Sequence, residues 1–204
     1  MHPYDAVVLA GGGGRRLGGL DKAALTIGRV PLLDRALDAV AGATRIVVVG
    51  PARAMPSGVL LVSDRPPGGG PVSALAAAVP TLLSPLVVVL ACDMPFVTAA
   101  AVERLLAACE ALDADPDVSR VDGALLVDGA LLVDGDGRRQ YLAAVYRVPA
   151  LTRALGDAGS PYGQSMRSLV RRLTVAEVAA NPDETLDIDT WDDVERSGAL
   201  LEDR

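Results

Sequence analysis

Four short, nearly unbroken apolar runs mark the first half of the chain: AVVLA (6–10), RIVVV (45–49), GVLLV (58–62) and LVVVLA (86–91). They do not alternate with polar residues, which predicts strands covered on both faces of a parallel sheet. Helical periodicity separates them. After Pro31, which suits a first helical turn, Leu32, Leu33, Ala36, Leu37, Val40 and Ala41 form one stripe, with Asp34, Arg35 and Asp38 opposite. Between 98 and 112, Val102, Leu105, Leu106, Cys109 and Leu112 repeat the pattern, with Thr98 placed to cap the helix. Strands alternating with helices predict an α/β fold of three layers, a mostly parallel, doubly wound sheet with helices on both faces. At 204 residues the chain is expected to form one domain, 1–204.

The second half is less regular. GALLVD occurs twice in tandem, at 123–128 and 129–134. Two copies cannot build a repeat array, so the expectation is a lengthened hairpin with Asp-Gly pairs at its turn. The DGDG that follows is no calcium loop: counted from Asp134, the twelfth position is Val145, where a carboxylate belongs. QYLAAVYRV (140–148) reads as a further strand. Helical patterns follow at about 149–157 and 163–172, then the extended TLDID and a last helix after Thr190.

Composition narrows the chemistry. Apolar residues make up 50% of the chain but aromatics only 3%, so Ala, Val and Leu must fill the core. A net charge of -7, with 26 acidic against 19 basic residues, argues against nucleic acid as the main partner. Cys92 and Cys109 are too few and wrongly spaced for a disulfide framework or zinc site. The start MHPYDAV has no basic leader, and no apolar run approaches the ~18 residues of a membrane span. A cytoplasmic protein without membrane contact is expected. His2 is the only histidine, so a Ser-His-Asp or Cys-His nucleophile and a histidine-ligated zinc are excluded. Carboxylates, lysine, arginine, backbone amides and a carboxylate-bound metal remain.

Immediately after the first strand comes LAGGGGRRLGGLDKAAL (9–25). A glycine run costs conformational entropy and needs a reason. Close approach of backbone N–H groups to a polyanion supplies one, with Arg15, Arg16 and Lys22 adding charge. The loop lacks the Gly-Lys-Ser/Thr ending of a Walker A motif and the glycine spacing of a dinucleotide fingerprint. Each strand of the first half ends on something notable: the glycine loop, then Gly50, then Asp64 with RPPGGGP, then CDMPF with Asp93. Ligands of open α/β sheets bind outside the carboxyl ends of strands. Asp93 is placed to hold Mg²⁺ beside a triphosphate. Asp64 serves equally well as a chain-turning residue, and Lys22 as a solvated surface lysine.

Together these residues resemble the molybdenum cofactor guanylyltransferase family of the nucleotidyltransferase superfamily. LAGGGGRRLGGLDKAAL is similar to its opening signature, DRPPGGGPVSAL (64–75) to its Asp, spacer and Gly-Pro segment, and ACDMPF (91–96) to its Cys-Asp-Met-Pro segment. QYLAAVYR and LDIDTWDDV fall where the family has its later strand and last motif. Val72, Tyr141 and Trp191 depart from the family pattern, the latter two standing where proline is usual. The resemblance implies a Rossmann-like nucleotidyltransferase sheet and Mg²⁺-dependent transfer of GMP from GTP to the terminal phosphate of molybdopterin, releasing pyrophosphate. It implies catalytic roles for Arg15, Lys22 and Asp93. Nucleotide contacts fall to Leu9, Ala10, Gly11, Gly12, Gly13, Gly14, Arg15, Lys22, Gly50, Asp64, Gly70, Pro71 and Asp93. Asp189 joins Asp93 at the metal: it alternates with Asp187 on an extended stretch, while Thr190 and Asp193 have the spacing of a helix capping pair. A solvated strand end that caps the helix by charge is the competing role for Asp189. Arg167 and Arg171, four apart on one helical face, are candidates for the acceptor or for a solvated basic face. Cytidylyl transfer, a sugar-1-phosphate or phospholactate acceptor, and a non-catalytic nucleotide-binding regulator are the alternatives.

Overall fold

The computed structural model describes residues 3–11, 17–64, 67–114 and 127–202, with the side chains of 111–114 left aside. Gly12, Gly13, Gly14, Arg15, Arg16 and most of the first GALLVD copy lie outside the described residues.

The elements in chain order are β1 (Tyr4–Leu9), β2 (Thr26–Ile27), β3 (Val30–Pro31), α1 (Leu32–Ala39), β4 (Arg45–Val49), β5 (Val59–Val62), α2 (Pro71–Ala78), β6 (Leu86–Ala91), α3 (Ala99–Ala114), β7 (Gly129–Val133), β8 (Arg139–Arg147), α4 (Val148–Ala158), α5 (Met166–Val170), β9 (Val175–Ala179) and α6 (Trp191–Glu202). Seven strands form one sheet in the order β5-β4-β1-β6-β8-β7-β9, and β2 and β3 form a separate two-stranded ribbon. All neighbours are parallel except across β8, which is antiparallel to both β6 and β7.

Strand alternation sorts side chains to two faces. Ala6 and Val8 of β1 join Leu33, Ala36 and Leu37 of α1 and Val102, Leu105 and Leu106 of α3. Val7 and Leu9 join Val72 and Leu75 of α2, Leu151 and Ala154 of α4, and Met166 and Leu169 of α5 on the other. β1 and β6 are buried along their whole length. The fold is thus the expected three-layer, mostly parallel α/β sheet. The connection from β1 runs through α1 to β4, whereas that from β5 runs through α2 to β6 on the far side of β1. The strand order therefore reverses between β1 and β6, the place where open sheets open a crevice.

The four first-half runs are strands as read, and the second GALLVD copy is β7 of a hairpin. Asp134 builds its turn by accepting from the backbone N–H groups of Asp136 (3.0 Å) and Arg138 (2.8 Å). Two expectations need correction. The helix read at 163–172 is only Met166–Val170, because Ser165 caps its start and Arg171 already closes its end. Pro31 sits at the N-cap of α1, not inside its first turn. The stretch TLDID pairs with no strand of the sheet, and a strand not read from the sequence, β9, lies on the sheet's edge.

β8 carries an irregularity that bears on the site. Its register against β7 jumps from Leu131↔Ala144 to Leu132↔Gln140, leaving Tyr141–Ala143 unpaired on that side. Bulges of this kind re-aim side chains at sheet rims. The Tyr146 hydroxyl donates to the Tyr141 carbonyl at 2.9 Å and satisfies the bulged backbone.

Candidate active site: a lysine held between two carboxylates

A cleft of about 960 Å³ opens along the carboxyl edge of the sheet. Following the strand order, Ser63 and Asp64 come after β5, Val49, Gly50 and Pro51 from β4, Leu9, Ala10 and Gly11 from β1, Ala91, Cys92 and Asp93 from β6, and Leu142 from the bulge of β8. Pro67, Gly68, Gly70 and Pro71 close the side ahead of α2, and Lys22 and Asp189 complete the lining. Every described residue expected to contact nucleotide or metal therefore lines this one cavity. Arg167 and Arg171 do not; both are exposed on α5 and its end.

Lys22 opens a short 3₁₀ turn, Lys22–Ala24, capped by Asp21, whose carboxylate accepts from the Ala23 N–H at 3.2 Å. Its ammonium donates to Asp93 Oδ2 at 3.0 Å and to Asp189 Oδ1 at 2.5 Å. The lysine side chain is only 13% exposed, against 28% for Asp93 and 42% for Asp189. Burial works against the charge on Lys22, but its hydrogen bond to Asp189 and the charge of Asp93 outweigh it and raise its pKa above the ordinary lysine value. Asp187 shows the reverse pressure: burial, then the negative charges of Asp189 and Asp93, push its carboxyl upward. The cluster holds more negative charge than one ammonium neutralises.

Sequence and geometry explain each position. Asp93 lies in the tight turn that leaves the buried β6, where the Met94 N–H donates to the Ala91 carbonyl at 3.4 Å. Asp189 has no strand to hold it. Instead the Ile188 N–H donates to the Asp93 carbonyl at 2.9 Å, docking the segment on the site. The Asp193 carboxylate accepts from the N–H groups of Asp189 (3.1 Å) and Thr190 (2.8 Å), and Thr190 Oγ1 accepts from the Asp193 N–H at 3.3 Å. That reciprocal pair is a capping box on α6. It accounts for Asp193, while the Asp189 side chain accepts from Lys22.

Two glycines of the cleft have backbone reasons of their own. A Cβ on Gly50 would lie 2.9 Å from the Ala10 carbonyl oxygen, so β1 and β4 approach each other here only through glycine. Gly70 caps α2 at φ 84°, ψ -177°, a conformation essentially confined to glycine. Asp64 does turn the chain: its Oδ2 accepts from the Gly68 N–H at 2.9 Å while the residue also faces the cavity.

Ser63, Cys92 and Leu142 of the lining were not singled out by the sequence. A stronger signal also lay unused there: of the 19 lysine and arginine residues, Lys22 alone is lysine. A chain that makes every other cation an arginine has little reason to place a lone lysine on a solvated surface. Two carboxylates that converge on one cation with oxygen donors suit a divalent ion of the Mg²⁺ type, which takes one or two protein carboxylates plus phosphate. The residues present fit such an ion. Among the described residues there is no cluster of three or more acidic, cysteine or histidine ligands, and no helix is long and apolar enough to cross a membrane.

A mostly parallel sheet with this cleft at its switch point, a lysine-carboxylate centre and a glycine-rich first loop defines an α/β nucleotidyltransferase. The MobA-like NTP transferase domain matches residues 6–178, and the chain belongs to that family. The molybdenum cofactor guanylyltransferase of Acidiphilium cryptum is 31% identical over 192 residues, covering 86% of this chain and 92% of the relative. That of Shewanella loihica is 29% identical over 163 residues, 76% of each chain. The crystal structure of molybdopterin-guanine dinucleotide biosynthesis protein A from Archaeoglobus fulgidus superimposes with a TM-score of 0.72 at 21% identity, over 98% of this chain and 100% of that one.

Proposed function

We propose that the chain, acting as a single domain, transfers GMP from GTP to the terminal phosphate of a molybdopterin-type acceptor and releases pyrophosphate. An oxygen of the acceptor phosphate forms a bond to the α-phosphorus, and the bond from that phosphorus to the bridging oxygen of the β-phosphate breaks. Such chemistry depends on positioning and charge neutralisation more than on covalent help, which suits a chain whose only histidine is His2. The observation that carries the proposal is Lys22 between Asp93 and Asp189 at the reversal of strand order.

The strand order divides the labour. Gly50, Ser63, Asp64 and Gly68 give the nucleoside its place on the β4–β5 side. Backbone amides of the glycine loop, with Arg15 and Lys22, hold the phosphates near the end of β1. Asp93 and Asp189 would hold Mg²⁺, which when bound neutralises phosphate charge. The acceptor approaches from the β8 side, past Leu142. Guanine and molybdopterin enter from the names of the relatives and from the resemblance in sequence.

The test is direct. GTP, Mg²⁺ and the acceptor should yield pyrophosphate and the dinucleotide product, and binding of nucleotide without turnover would favour the regulator. A thermal-shift panel of GTP, CTP, ATP and UTP with Mg²⁺ reads the base, since a ligand bound only by the native state raises stability. GTP should give the largest shift; a larger one with CTP would overturn the guanine assignment.

A further inference from the structure

Arg53 lies outside every motif discussed above, yet its side chain is only 14% exposed and its guanidinium ties three segments of the cleft together. Nη2 donates to the Ala10 carbonyl at 3.3 Å, at the exit of β1. Nε donates to the Pro51 carbonyl at 3.4 Å, in the loop after β4. Nη1 and Nη2 both reach Asp21, at 3.2 Å each, in the two-toothed pairing that only a planar guanidinium makes. Asp21 in turn caps the 3₁₀ turn that begins with Lys22. One arginine thus connects the strand entering the glycine loop with the turn leaving it, and the lysine follows directly. Its charge is matched by Asp21.

We infer that Arg53 is a positioning residue for Lys22: through Asp21 it fixes the turn that presents the ammonium to Asp93 and Asp189 and to the nucleotide phosphates. The last clause rests on the proposed transferase reading; the fixing of Lys22 does not. Because Lys22 is the only lysine, its amine can be followed without activity, by the rate at which an acylating reagent modifies it. Mass spectrometry separates that peptide from the α-amine of Met1, which serves as internal standard.

In the full chain, Arg53→Met should leave a folded protein whose Lys22 is acylated about tenfold faster, the scale of one charge-assisted hydrogen bond lost. Binding of GTP with Mg²⁺ should weaken by a similar factor, and Arg53→Met should add nothing in a Lys22→Ala background. Asp21→Asn keeps the cap but removes the charge pair; it should raise the acylation rate less, and it carries the test if Arg53→Met does not fold. An unchanged acylation rate in the folded variants overturns the inference. So does equal weakening of GTP binding with and without Lys22, which would mean that Arg53 acts on the nucleotide by itself or only on stability. If Lys22→Ala leaves GTP binding intact, the transferase reading fails while the acylation rate still decides the role of Arg53.

Discussion

Asp93 and Asp189 reach the same ammonium from two differently built regions. Asp93 stands at the end of a strand buried along its whole length and paired on both sides. Its surroundings are fixed by backbone: the β1–β4 approach at Gly50, the left-handed cap at Gly70, the carboxyl ends of four parallel strands. Asp189 stands on a segment with no sheet partner. Side chains and single hydrogen bonds hold it: the capping box of Thr190 and Asp193, the bond from Ile188 to the Asp93 carbonyl, and a knot at Glu184. Glu184 is buried and accepts from Arg104 of α3 at 2.5 Å and from the backbone and side chain of Asn181, both at 2.8 Å. The Asp93 side of the centre is therefore set by the fold, and the Asp189 side by a few replaceable anchors.

Four substitutions test that contrast, in falling order of effect. Asp93→Asn should lower transfer by about a hundredfold to a thousandfold, as loss of a group that acts on transition-state charge does, while the unfolding temperature stays near wild type. Turnover close to wild type would remove Asp93 from the chemistry. Gly50→Ala should cost about 1–3 kcal/mol in urea unfolding, because its methyl group meets backbone and no flexible side chain. A neutral result would show that β1 and β4 can separate freely and that the Asp93 side is not backbone-set. Asp189→Ala should raise the Mg²⁺ concentration for half-maximal activity about tenfold with little change in stability. An unchanged metal requirement returns Asp189 to a structural role.

The smallest effect is expected at Glu184. Burial would raise its carboxyl, but the Arg104 hydrogen bond and those from Asn181 prevail and lower it. A lowered carboxyl stabilises fully above its unfolded value near 4.5 and loses that contribution as pH falls through the folded value. Glu184→Gln should therefore unfold more easily than wild type at pH 7, by about 1 kcal/mol, with the gap closing below pH 4.5. A gap independent of pH would mean that packing, not charge, anchors the segment that carries Asp189.

The same contrast explains what could be read from the sequence. The four parallel strands were legible because burial on both faces leaves runs with no polar interruption. α2 was not singled out, since PVSALAAA is apolar almost throughout and shows no stripe. β9 escaped because an edge strand of five half-exposed residues, VAEVA, has no sustained pattern. The alternation of Asp187 and Asp189 held a usable signal even though TLDID pairs with no strand. Arg53 had none, for in a chain whose cations are nearly all arginine a single arginine stands out only through its contacts. Leu142 was hidden for another reason: the jump in register that turns it to the cleft depends on pairing between strands.

Cys92 has a bearing on how the site tolerates its surroundings. It precedes Asp93, is buried to 5% exposure, and burial together with the Asp93 charge pushes its thiol up to about 12. Oxidation and alkylation proceed through the thiolate, and at physiological pH almost none is present. The residue adjoining the central carboxylate is therefore slow to react with oxidants and alkylating reagents while β6 stays folded. Thiol reagents and peroxide should leave the cleft unaltered for as long as the chain stays folded, and their reaction with Cys92 would report unfolding of β6.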